Sequence, residues 1–95
     1  MAVSFPRVVY SLRDKQVFSI ACGGLHNAVV TANGQVYTWG CADDGSLGRE
    51  GEGNSEAIPS LVDGGGLADE SVLSVACGDG QTIALTSSGQ VYGWG

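Results

Sequence analysis

Three short runs carry the clearest alternation of apolar and polar positions in this chain. Val17–Cys22 is apolar and partly β-branched, and it stops at Gly23-Gly24, as a strand entering a turn does. His26–Thr31 is the second run, and residues 35–39 are the third. Between these two stands Ala32-Asn33-Gly34, whose Asn-Gly pair supplies the positive φ angles that a tight hairpin demands. Beyond the turn, Gln35, Tyr37 and Trp39 share one face, while Val36 and Thr38 share the other. A fourth short strand is predicted near Ser60–Val62. No apolar stripe of helical period is long enough to compete, so the pattern predicts antiparallel strands and an all-β fold.

The pattern then repeats. Residues 17–40 align with residues 72–95 without a gap at an offset of 55, giving 12 identities in 24 positions. Val17, Ser19, Ala21, Cys22 and Gly23 meet Val72, Ser74, Ala76, Cys77 and Gly78. Thr31, Gly34, Gln35, Val36, Tyr37, Trp39 and Gly40 meet Thr86, Gly89, Gln90, Val91, Tyr92, Trp94 and Gly95. The hairpin becomes Ser87-Ser88-Gly89 in the second copy, where Gly89 serves the same turn. A shorter echo, Pro6-Arg7-Val8-Val9 with Pro59-Ser60-Leu61-Val62, sets the boundaries: a lead-in at 1–5, a first repeat at 6–58, and a truncated second repeat at 59–95. A period near 50 residues with several strands per unit points to a β-propeller built of four-stranded blades, of which this chain holds about one and three-quarters. One blade cannot cover both of its faces, so a partial ring needs further blades beside it.

Composition agrees and narrows the function classes. The 95 residues include 16 glycines, and only 15% of the chain is charged, which suits turns and strands better than salt-bridged helices. The formal net charge is −6, and residues 43–79 hold nine acids against the single base Arg49. That balance disfavours direct nucleic-acid binding and suits a basic protein surface or simple solubility. No signal-peptide pattern opens the chain and no run approaches the length of a membrane span, so a soluble nuclear or cytoplasmic protein is expected. Cys22, Cys41 and Cys77 lack metal-ligand spacing and have only His26 to join them, so neither a metal site nor a cofactor is expected. Cys22 and Cys77 fall at equivalent positions and are expected to be small buried residues. Gly64-Gly65-Gly66 lacks the Lys and Ser/Thr of a phosphate loop and reads as a flexible insertion.

Ala21-Cys22-Gly23-Gly24-Leu25-His26, followed by Asn33-Gly34-Gln35-Val36-Tyr37-Thr38-Trp39-Gly40, resembles the regulator of chromosome condensation repeat. Residues 41–49, Cys-Ala-Asp-Asp-Gly-Ser-Leu-Gly-Arg, are similar to the loop that follows in that family, with Gly48 in its Leu-Gly element. The likeness is greatest to the second-blade region of the family's exchange factor for the small GTPase Ran. It implies a seven-bladed propeller that promotes guanine-nucleotide exchange on a Ran-like GTPase by gripping it, with no covalent step. The alternative is a propeller used only as a protein-interaction scaffold. In either case this chain supplies a binding segment and no catalytic residue.

The resemblance also assigns residues. Asp43 and the adjacent Asp44 match acidic positions on a loop that faces the GTPase, where a carboxylate can pair with a partner's Lys or Arg. The same Asp-Asp-Gly run equally suits a solvated bend. His26 matches a histidine whose ring ties neighbouring strands near the central channel; Gln81 replaces it in the second copy, which a hydrogen-bonding role tolerates. Trp39 and Trp94 occupy equivalent positions that suit packing between blades. With Gly23, Gly34, Gly40, Gly78 and Gly89 they make up the structural signature of the repeat.

Overall fold

A computed structural model describes Pro6, residues 8–40, Gly48 and residues 58–95. Seven strands follow in order: β1 (Val17–Cys22), β2 (His26–Thr31), β3 (Val36–Gly40), β4 (Ser60–Val62), β5 (Val72–Cys77), β6 (Thr82–Thr86) and β7 (Val91–Trp94). They form two antiparallel meanders, one of four strands in the order β1-β2-β3-β4 and one of three in the order β5-β6-β7. The all-β expectation holds, and the helical content of the described residues is two short 3-10 turns, Tyr10–Leu12 and Leu67–Asp69.

The two sheets repeat one another down to single hydrogen bonds. The Thr31 and Thr86 amides donate to the carbonyls of Gln35 and Gln90, each at 2.9 Å, and the two hydroxyls accept from the Gln35 and Gln90 amides. The expected third strand therefore starts one residue late, at Val36, because Gln35 is used to close the hairpin. Gly34 and Gly89 carry the positive φ of the turn, +83° and +87°. A register shift falls between Val17 and Ser19 in one sheet and between Val72 and Ser74 in the other. The last strand behaves differently. β4 lies just past the sequence boundary at 59, yet it pairs with β3, so the second repeat in sequence supplies the closing strand of the first sheet.

The sheets pack face to face, with β5 lying against both β1 and β2. Their shared core holds Val30, Val36, Val62, Leu67, Val72 and Ala84, with Val75, Tyr92 and Trp94 against it. β6 shows how pleating allots residues to the two faces. Thr82, Ala84 and Thr86 are 0, 0 and 1% exposed beneath the first sheet, while Ile83 and Leu85, pointing the other way, are 47 and 40% exposed. The Gly64-Gly65-Gly66 run forms a defined turn: Gly65 and Gly66 take positive φ and lead into Leu67–Asp69, which buries Leu67 in the core.

The Gly34 hairpin also joins the sheets. Its carbonyl accepts from the Val72 amide at 3.0 Å, and a Cβ at Gly34 would come within 2.6 Å of Ser71 Oγ. Gly89, at the same place in the second sheet, has open space around it. Gly89→Ala should cost only the left-handed backbone strain, about 1–2 kcal/mol. Gly34→Ala should cost more, because Ser71 and Val72 must also move. Urea denaturation of the two variants measures the difference; equal losses would show that the Gly34 turn is not seated on the second sheet.

Candidate functional site

The polar groups between the sheets converge on His26. Its side chain opens β2, is 2% exposed, and places Nε2 2.8 Å from Thr82 Oγ1 at the start of β6. Nδ1 is buried with no hydrogen-bond partner. The tautomer with its proton on Nε2 fits this setting, because it leaves an unpaired acceptor rather than an unpaired N–H at Nδ1. Thr82 then receives from His26 and bonds in turn to the Cys77 thiol, across the β5–β6 register from it. Burial pushes the Cys77 thiol above its ordinary pKa; the Thr82 hydrogen bond opposes this and the neighbouring Cys22 adds to it. A thiol held protonated is a poor nucleophile, so this relay is built for cohesion rather than for chemistry.

Glycines admit the histidine. A Cβ at Gly23 would collide with the Gly78 carbonyl and would lie 2.8 Å from His26 Nδ1. Gly40, paired with His26 in the β2–β3 ladder, has φ +121° and would bring a Cβ within 2.8 Å of the His26 Cα. Gly78 itself has open space. Gly48 lies under the Trp94 ring, where a Cβ would stand 2.5 Å from Nε1, so this loop glycine and the β7 tryptophan pack together.

Trp94 lies against the inter-sheet core, whereas Trp39, Cys22 and Asn27 form a row across the opposite face of the first sheet. Cys22 is accordingly exposed and Cys77 only half-buried, a correction to the expectation that both are buried. For Cys22 its place at the end of β1 explains this, because the second sheet packs on the other face of the first. Asp43 and Asp44 lie outside the described residues.

A further polar cluster, not foreseen from sequence, stands at the other end of the second sheet. Ser88 Oγ and Tyr92 Oη donate to the two carboxylate oxygens of Glu70 at 3.0 and 3.2 Å. Burial, and then Glu70, raise the Tyr92 phenol. Alternation identifies Tyr92 as inward-facing, but no local pattern links it to Glu70, 22 residues away. No group of three or more His, Cys, Asp or Glu among the described residues is placed to hold a metal ion, and none of their helices is long and apolar enough to cross a membrane.

The family model "Regulator of chromosome condensation (RCC1) repeat" matches residues 33–85, and a second model of the same description matches residues 15–46. The chain belongs to the RCC1 repeat family. Human "E3 ubiquitin-protein ligase HERC2" is 46% identical over 96 residues, covering 95% of this chain and 2% of that protein. Mouse "Regulator of chromosome condensation" is 41% identical over 92 residues, covering 95% of this chain and 20% of that protein. The Prp20p crystal structure from Saccharomyces cerevisiae, described with its binding properties to Gsp1p and histones, superposes with a TM-score of 0.75 at 32% identity, covering 92% of this chain and 21% of that one. Human WBSCR16 gives 0.74 at 37%, covering 86% and 20%. The chain thus spans 2 to 21% of these relatives, and its two sheets match adjacent blades of an RCC1-type propeller.

Two predictions concern the relay. Thr82→Val keeps the shape but leaves buried His26 with neither ring nitrogen paired, which should cost about 1–3 kcal/mol by urea denaturation, while Thr82→Ser should recover most of it. The raised Cys77 pKa carries a sign: above the ordinary thiol value of 9.0 the unfolded chain releases its proton first, so stability falls as pH rises. Cys77→Ala should flatten the decline that begins there, leaving the part set by Tyr92 above 10.0. An unchanged profile in that variant would remove Cys77 from the account.

Proposed function

We propose that this chain is a protein-binding segment of an RCC1-type propeller whose partner is a Ran-like small GTPase, and that the whole propeller promotes nucleotide exchange on it in the nucleus. The observation carrying this reading is how the inter-blade polar groups are used. His26, Thr82 and Cys77 are committed to one another between the sheets, so partner recognition falls to residues outside that contact. The most acidic stretch of sequence follows β3, where Asp43 and Asp44 stand with Arg49 as the one base between residues 41 and 59. Carboxylates there pair with Lys or Arg of a partner, and gripping a GTPase without covalent chemistry needs only such contacts. The likeness to RCC1 and to Prp20p, described with its binding to Gsp1p, supports the same reading.

A second reading is a propeller serving as an interaction scaffold within a larger enzyme. The 46% identity to HERC2, a ubiquitin ligase of which the chain covers 2%, favours it. Release of labelled GDP from a Ran-like GTPase by the full-length protein decides between the two. The exchange reading predicts faster release, weakened by Asp43→Ala through reduced GTPase affinity. GTPase binding without acceleration supports the scaffold, and absence of binding overturns the proposed partner.

A further inference from the structure

The acidic stretch that follows β3 runs between two glycines, and the second sheet bears on both. The first is Gly40, opposite His26 in the β2–β3 ladder, where a Cβ would lie 2.8 Å from the His26 Cα. His26 is in turn bonded to Thr82 at 2.8 Å. The second is Gly48, with φ +70°, where a Cβ would stand 2.5, 2.7 and 2.8 Å from Nε1, Cε2 and Cδ1 of Trp94. Residues 41–47 lie between them in sequence, Asp43 and Asp44 included. Gly64 and Gly65 have nothing near them, so the close approach at Gly48 is a particular contact and not the general crowding of this region.

Thr82 and Trp94 are themselves opposite one another in the β6–β7 ladder, so their side chains leave the sheet on the same face. That face is turned to the first sheet: Thr82 is fully buried there, and Trp94 packs on the core that joins the two. A single cross-strand pair of the second blade thus reaches both ends of the acidic stretch of the first, through His26 at one end and directly at the other. We propose that Trp94 is a positioning residue for that stretch, so that the partner site of the first blade is set by its neighbour. The inference rests on the reading of Asp43 and Asp44 as partner contacts. Two carboxylates meet a partner's Lys or Arg with least loss of freedom when the chain carrying them is already held at both ends. Trp94 does this without touching the partner, because its indole is spent on Gly48 and on the core.

Two readouts on the full-length protein test this. Arg49 adjoins Gly48 and is the one Lys or Arg between residues 16 and 95. Trypsin cleavage after it, followed by mass spectrometry, therefore reports the hold on Gly48 with no partner present. Trp94→Leu should speed this cleavage about tenfold, because proteolysis follows the population of the opened form. Trp94→Phe should stay near the unsubstituted rate, since the three atoms over Gly48 belong to the five-membered ring, whose place a phenyl ring takes. Val72→Ala removes volume from the same core at the other end of the second sheet and should not speed it. Unchanged cleavage in Trp94→Leu, or equal acceleration in Val72→Ala, overturns the inference. Affinity for a GDP-bound Ran-like GTPase is the second readout. Trp94→Leu should weaken it about fivefold or more, and Trp94→Phe should keep it. Faster cleavage with unchanged affinity reduces Trp94 to packing and overturns its positioning role. If the unsubstituted protein binds no GTPase, the partner reading falls, and cleavage alone decides whether Trp94 holds the stretch.

Discussion

A thin antiparallel sheet with apolar residues on both faces must be covered on both sides, and everything else in this structure follows from that constraint. β2 meets it most fully. Ala28, Val29 and Val30 are all 0 to 1% exposed, so both faces of the strand are buried in the described structure. β6 meets it on one face only, and its alternation of exposed and buried residues records which side has a neighbour. Area alone would permit sliding between the blades, and polar contacts restrict it. The His26–Thr82 bond and the Gly34–Val72 backbone bond lie near opposite ends of β2 and fix how one blade sits on the next. A buried hydrogen bond contributes little net stability but is costly to break, which makes it suited to setting register.

Much of the fold was legible because the sequence writes it twice. The strand limits, the Asn33-Gly34 turn and the shared positions of Cys22 and Cys77 all came from matching residues 17–40 with 72–95. The pairing of β4 with β3 was not legible, since alternation tells which way a side chain points but not which sheet a three-residue strand joins. Cys22 was misjudged for a related reason. Equivalence in the repeat predicts equal burial only where both copies have the same neighbours, and the first sheet is covered by the second on one face only.

The candidate site divides in the same way. His26 was readable as a structural histidine from its place after Gly23-Gly24, but Thr82 as its partner was not, because Asn27 holds the equivalent position in the first repeat. The His26–Thr82 pair therefore belongs to the boundary inside this chain, and the residues at the same repeat positions are Gln81 and Asn27.

The central claim is that the two blades form one cooperative unit through the face between them. Amide hydrogen exchange measured residue by residue tests it most directly. The account predicts that the Val72 amide, together with the amides of β2 and β6, opens with one common free energy, because neither sheet keeps its own ladder once the apolar face between them is lost. Fast exchange at Val72, or protection in β6 far below that in β2, would contradict it and would make the second sheet an independent element resting on the first.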